Sequence, residues 1–156
     1  MKINLVEKDT FFICGYSVET TLAQNDKDVS GLYDDFFHNG KEAVLMKLSG
    51  SKKGYYGLSW YTQGHERYCY LLGMEVGQDN TAPENAVLKS IPKATYAMAR
   101  FPQGEDAVKA WNEFFYNEIP GAGLKVNEGH NLYFEYYPGS VHGEFELWVP
   151  VVKADA

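Results

Sequence analysis

The chain has 156 residues, 45% of them hydrophobic, which is enough to fill one core of ordinary size. Its 14 Lys and Arg against 21 Asp and Glu give a net charge of −7, the wrong sign for gripping a phosphate backbone directly. No stretch approaches the ~20 apolar residues of a membrane span, and residues 1–8 mix acid and base where a secretory leader has an unbroken apolar run.

Cys14 and Cys69 each sit in an apolar, aromatic stretch and read as two buried, reduced thiols of a cytoplasmic protein. The 12 Tyr, 9 Phe and 3 Trp are an unusual load. A tyrosine buries a flat ring but keeps a hydroxyl that needs a partner or water, so the excess suggests a surface both aromatic and polar. Rings decorating β-sheet faces are the alternative.

Residues 10–18, rich in aromatic and β-branched side chains, predict the first strand. A helix follows over 28–39, with Val29, Leu32, Tyr33, Phe36 and Phe37 inward and Gly40 as its stop. Two further strands, over 55–61 and 68–76, flank a polar, glycine-bearing loop at 62–67. Residues 77–84 read as a linker. The pattern then begins again with a strand over 94–101. A helix over 106–117 has Val108, Trp111, Phe114 and Phe115 as one apolar stripe read mostly as core, Asp106 as its cap or in its first turn, and Pro120-Gly121 as its end. Strands over 132–137 and 145–151 close the chain, joined by residues 138–143.

The two halves align at an offset of 78 residues: Tyr33 meets Trp111, Asp35 meets Glu113, and Phe36-Phe37 meets Phe114-Phe115. Each half reads strand, helix, strand, strand, with the repeat spanning about 1–77 and 86–152 of a single domain, 1–156. Strand runs with one helix per half predict an α+β fold. Its expected form is duplicated β-α-β-β halves in pseudo-two-fold symmetry, a curved antiparallel sheet with helices on one side and a ligand groove between the halves.

The same offset places Gly57 on Glu135, a glutamate with two aromatics on each side. Alternation puts Tyr133, Glu135 and Tyr137 on one strand face and Phe134 and Tyr136 on the other. A carboxylate among rings costs several kcal/mol when buried unpaired. A cationic ligand would supply the missing charge, each ring face adding roughly 0.5–2 kcal/mol, and Gly57 would leave it room. Alternatively Glu135 faces solvent or pairs with Arg100 or Lys125. Glu75 and Glu146 have similar settings and read as partners of core tyrosine hydroxyls.

Other chemistries find little support. His38, His65, His130 and His142 are scattered without the i, i+4 partner of a zinc site, and His130 and His142 read as solvated. The loop 50–54 has glycine and lysines but not phosphate-loop spacing. No Ser or Cys stands in a nucleophile motif. No metal and no cofactor are expected, and no catalytic residue is assigned.

Tyr56-Gly57, Tyr70-x-x-Gly73-x-Glu75-Val76 and Ile91-Pro92-x-Ala94-x-Tyr96-Ala97 carry a resemblance, as do Trp111, Phe134-Glu135-x-x-Pro138 and the run Phe145-Glu146-Leu147-Trp148-Val149-Pro150-Val151. In order and spacing the chain resembles the GyrI-like small-molecule-binding domain, the effector-binding domain of AraC-type and MerR-type bacterial activators. The resemblance implies a pocket between the halves, with Glu135 at the position of a glutamate that meets lipophilic cations. It implies an aromatic wall of Trp60, Tyr70, Tyr96 and Tyr137. No helix-turn-helix flanks the domain, so a protein partner is expected to supply any DNA binding. The expected function is a stand-alone binding module for hydrophobic cationic small molecules. The resemblance also leaves open a hydrolase of strained cyclopropane toxins using the same glutamate, or a protein-binding inhibitor of the gyrase type.

Overall fold

The computed structural model describes residues 2–50, 54–63, 66–130 and 132–155. The chain runs β1 (Asn4–Lys8), β2 (Phe11–Thr21), α1 (Asn25–His38), α2 (Lys41–Ser49), β3 (Tyr55–Gln63), β4 (Arg67–Val76), β5 (Val87–Ile91) and β6 (Ala94–Phe101). Then come α3 (Ala107–Glu113), β7 (Leu124–Val126), β8 (Tyr133–Tyr137) and β9 (Phe145–Lys153). The helix begun by α3 continues through a π turn, Phe114–Glu118, into a last turn, Ile119–Gly121.

The strands order as β1-β6-β9-β8-β3-β4-β2-β5, with β7 against β9, and every pair is antiparallel. The order is palindromic about the β8–β3 pair, so the two halves meet at the centre of one sheet. There Gly57 and Glu135 are register partners.

Consecutive strands at opposite ends of this order force the sheet to curve. Only Asp9 and Thr10 separate β1 from β2, yet β1 pairs with β6. Likewise Pro92 and Lys93 separate β5 from β6, yet β5 pairs with β2. Each half thus lends its first strand to the other. The two crossings touch where Lys93 N–H donates to Thr10 Oγ1 at 3.1 Å. The result is a curved, unclosed antiparallel sheet in an α+β fold.

One face of the sheet carries all the helices. Leu32 and Phe36 of α1 and Leu45 of α2 pack on Tyr16, Leu72 and Met74. Phe114 and Ile119 pack on Ala97, Leu147 and Val149. The helix-free face curls around its own core, including Tyr56, Leu58, Tyr96, Phe134 and Trp148, with Phe134 and Trp148 stacked at 5.5 Å.

The helix α2 and strands β1, β5 and β7 go beyond the predicted elements. Gly40, read as a stop, adopts φ +81° and turns the chain directly into α2. Strands β1 and β5 are short edge strands, half-buried or exposed over most of their length. Of the two roles expected for Asp106 it takes that of cap to α3, accepting from the N–H groups of Val108 and Lys109 at 2.9 and 3.2 Å.

Candidate functional site

Glu135 lies at the centre of the helix-bearing face, 7% exposed. Three donors converge on its carboxylate. Tyr70 of β4 donates to Oε1. Trp111 of α3 donates from Nε1 to Oε2 at 2.8 Å. The Tyr137 hydroxyl of β8 supplies the third. Behind them, Tyr33 of α1 places its hydroxyl 2.7 Å from that of Tyr70. One carboxylate thereby links α1 and α3 with β4 and β8.

Burial pushes the Glu135 carboxyl above the usual carboxylate range, and the hydrogen bonds from Tyr70, Trp111 and Tyr137 only partly offset it. Burial, and then the Glu135 charge, push the hydroxyls of Tyr33, Tyr70 and Tyr137 far above the ordinary phenol value. They therefore stay protonated, as donors, throughout the physiological range.

Gly57 makes the arrangement sterically feasible. A β-carbon there would lie 2.7 Å from Glu135 Oε1 and 2.8 Å from Tyr70 Cζ, and closer still to the Tyr70 hydroxyl. The sequence reading reserved this space for a ligand. The structure fills it with the Tyr70 hydroxyl and the carboxylate themselves, so a ligand must approach from the helix side.

A cavity of about 620 Å³ opens on that side, between α1 and α3. Its walls repeat across the pseudo-axis: Val29 opposes Ala107, Tyr33 opposes Trp111, and Asp34 opposes Asn112, each pair 78 residues apart. Tyr61, Tyr68, Phe115 and Tyr133 add further rings. The π turn presents Phe115 and Tyr116 to the cavity while Phe114, fully buried, stays in the core. Asp26, Asp34 and Glu135 line the cavity, and no lysine or arginine does so among the described residues.

A family model for Cass2, described as an integron-associated effector binding protein, matches residues 4–151. The chain belongs to that family. SAV2435 bound to tetraphenylphosphonium is similar in fold, with a TM-score of 0.76 and 18% identity over 97% of this chain and 94% of that one. An integron cassette protein from the mobile metagenome of Vibrio cholerae gives a TM-score of 0.70 and 18% identity, covering 96% and 95%. A hydrolase from Listeria innocua gives 0.58 and 10%, covering 97% and 92%. At these identities the likeness is one of fold. No curated protein sequence matches the chain.

In this member of the family the structure gathers Glu135, Tyr70, Tyr137 and Trp60 along one cavity. Trp60 differs from the others, because strand alternation turns its ring to the helix-free cluster, where Lys89 Nζ lies 4.2 Å from the ring centroid. Tyr96 is placed elsewhere altogether. It is fully buried on the helix-free face, its hydroxyl 3.0 Å from His130 Nε2 and 3.4 Å from the Pro92 carbonyl. We therefore remove Tyr96 from the candidate site. Tyr96→Phe is expected to cost about 1 kcal/mol in chemical denaturation and to leave the affinity for any cavity ligand within twofold of wild type.

Tyr33 and Trp111 are the functional candidates that sequence reasoning assigned to packing. Their signal was present: where the repeat has phenylalanine at the core positions 36 and 114, it has donor-bearing rings at 33 and 111. Of the other acids, Glu146 accepts from Arg100 Nε at 3.1 Å and from Trp148 Nε1 at 3.0 Å, while Glu75 bonds the Tyr56 hydroxyl. Glu135 pairs with neither Arg100 nor Lys125; its partners are the three neutral donors. His130, read as solvated, is half-buried and its pKa is lowered by burial. His142 is exposed beside the cavity, and His38 Nδ1 sits 3.0 Å from the Asp34 carbonyl. His65 and residues 51–53 lie outside the described residues. Both cysteines are free; Cys14 is buried and Cys69 half-buried. Among the described residues no helix is long and apolar enough to cross a membrane, and no cluster of three metal-ligating side chains forms.

Proposed function

We propose that the protein binds hydrophobic cationic small molecules, with Glu135 selecting for positive charge. The observation that carries this reading is a buried carboxylate, held only by neutral donors, beside an aromatic cavity lined by two further acids, one exposed histidine and no described lysine or arginine. Neutral donors lessen the cost of burying the charge but leave its field uncompensated. A cation entering the cavity supplies that compensation, while ring faces contribute cation–π attraction and apolar burial at roughly 25 cal/mol per Å². The fold shared with a protein bound to tetraphenylphosphonium supports the same ligand class. Tyr70, Tyr137 and Trp111 orient the carboxylate, and Tyr33 braces Tyr70. The bound state serves sensing or sequestration in the cytoplasm, with any DNA contact supplied by a protein partner.

The test is a titration of wild-type protein with a fluorescent lipophilic cation and an anionic dye of matched size. The cation should bind at least about tenfold tighter, the equivalent of ~1.4 kcal/mol. Equal affinities would sink the proposal.

A second reading, a hydrolase using Glu135 as general acid or base, draws on the raised pKa of the carboxyl. The geometry favours binding over turnover, because both carboxylate oxygens already accept hydrogen bonds from Tyr70 and Trp111. Mass analysis of an electrophilic cyclopropane compound after incubation separates the two, a gain of one water marking the enzyme.

A further inference from the structure

The mouth of the cavity is as unusual as its floor. Asp26 and Asp34 are both exposed, both line the cavity, and lie eight residues apart on α1, about 12 Å along its axis. Tyr33, the residue beside Asp34, reaches inward to Tyr70 and so to Glu135. The α1 wall therefore carries acid at the rim and leads to acid at the floor. The opposite wall carries none: Asn112 stands where the repeat has Asp34, and Val108 stands where it has Ser30.

The other lips are apolar. Leu22 is 71% exposed, Val108 65% and Tyr116 68%, the three most exposed large hydrophobic side chains among the described residues, and all three line this one cavity. Exposed rings and aliphatic groups gathered at a mouth mark a contact surface rather than ordinary scatter. A ligand that reached only Glu135 would leave them wet.

We infer that the preferred ligands are elongated aromatic dications, one positive group meeting Glu135 and the second leaving the cavity between the apolar lips to meet Asp26 and Asp34. This rests on the cation-binding reading of Glu135 and adds a specificity determinant to it. The apolar midsection of such a ligand covers Leu22, Val108 and Tyr116, while its outer cation meets exposed carboxylates whose attraction is screened by salt. A single-headed cation uses the floor alone.

The probes are α,ω-bis(4-amidinophenoxy)alkanes with three to five methylene groups, each compared with the analogue in which one amidine is a neutral carboxamide. Affinities are measured by calorimetry on wild type, on the double variant Asp26→Asn/Asp34→Asn, and on Glu135→Gln. The quantity read is the ratio of dication to monocation affinity, so any general loss of negative potential that weakens both probes alike cancels. The ratio should exceed about tenfold for at least one linker at low salt, shrink on raising salt, and fall below about threefold in the double variant. Glu135→Gln should weaken both probes. A ratio near one in wild type, or one that survives the double variant, overturns the dication inference while leaving the cation-binding reading standing. If Glu135→Gln weakens neither probe, the reading beneath it fails as well.

Discussion

Gly57→Ala is expected to destabilise the protein by about 1–3 kcal/mol and to lower its affinity for cations, although it adds only one methyl group. The cost is that of overpacking a filled site. The new β-carbon would sit 2.7 Å from Glu135 Oε1 and 2.8 Å from Tyr70 Cζ, so the Tyr70 ring or the carboxylate must move. Tyr70 is buried among α1, β2 and β4 and has little freedom to swing away. Its hydroxyl then leaves Glu135, and a buried charge loses one of its three donors. Chemical denaturation reads the first effect and a cation titration the second. Adding Tyr70→Phe, which removes the clashing hydroxyl, should make the double variant less destabilised than the sum of the singles. Strict additivity would mean that the glycine is required by the backbone and not by the Tyr70–Glu135 contact.

Glu135→Gln should raise stability at neutral pH even as it weakens binding. The folded state holds the Glu135 proton more tightly than the unfolded chain does, because burial disfavours the charge. Stability from this group is therefore complete below the ordinary carboxylate pKa and is lost as pH rises through the raised folded value. Glutamine has no such loss. The variant's advantage in melting temperature should be small near pH 4 and grow toward pH 7, levelling off above the folded pKa. Cation binding has the opposite slope, strongest where Glu135 is ionised and weakening as pH falls through that same value. A variant less stable than wild type at pH 7 would mean that the three donors outweigh burial.

How far the site could be read from sequence depended on how local its signal was. Glu135 was legible because an acid interrupts a run of aromatics, and the repeat set it against Gly57. The long strands and the aromatic stripes of α1 and α3 were legible for the same reason, each burying large side chains at a clear period. Strands β1 and β5 were not, because short edges bury little, and their exchange between halves is a long-range pairing without local trace. Tyr96 was misplaced because its face depends on register across β9 and β8, which no alternation within β6 supplies. Trp60 is different: three residues from Gly57, it must point to the opposite face by alternation alone. Tyr33 and Trp111 were seen but read as core, since a helical stripe says which residues face inward and not whether a cavity lies there.

The most direct measurement of the central claim is the affinity of one lipophilic cation, tetraphenylphosphonium, for wild type and Glu135→Gln at pH 7, with circular dichroism confirming that both are folded. Glutamine keeps the shape of the side chain and removes the charge; its Oε1 can still accept from Trp111, while its amide N–H donates to the Tyr70 hydroxyl in place of the present acceptance. The account predicts a loss of about tenfold or more, the ~1.4 kcal/mol scale of a charge-assisted contact. An affinity unchanged within twofold would contradict it, and Glu135 would then be a buried structural carboxylate of the fold.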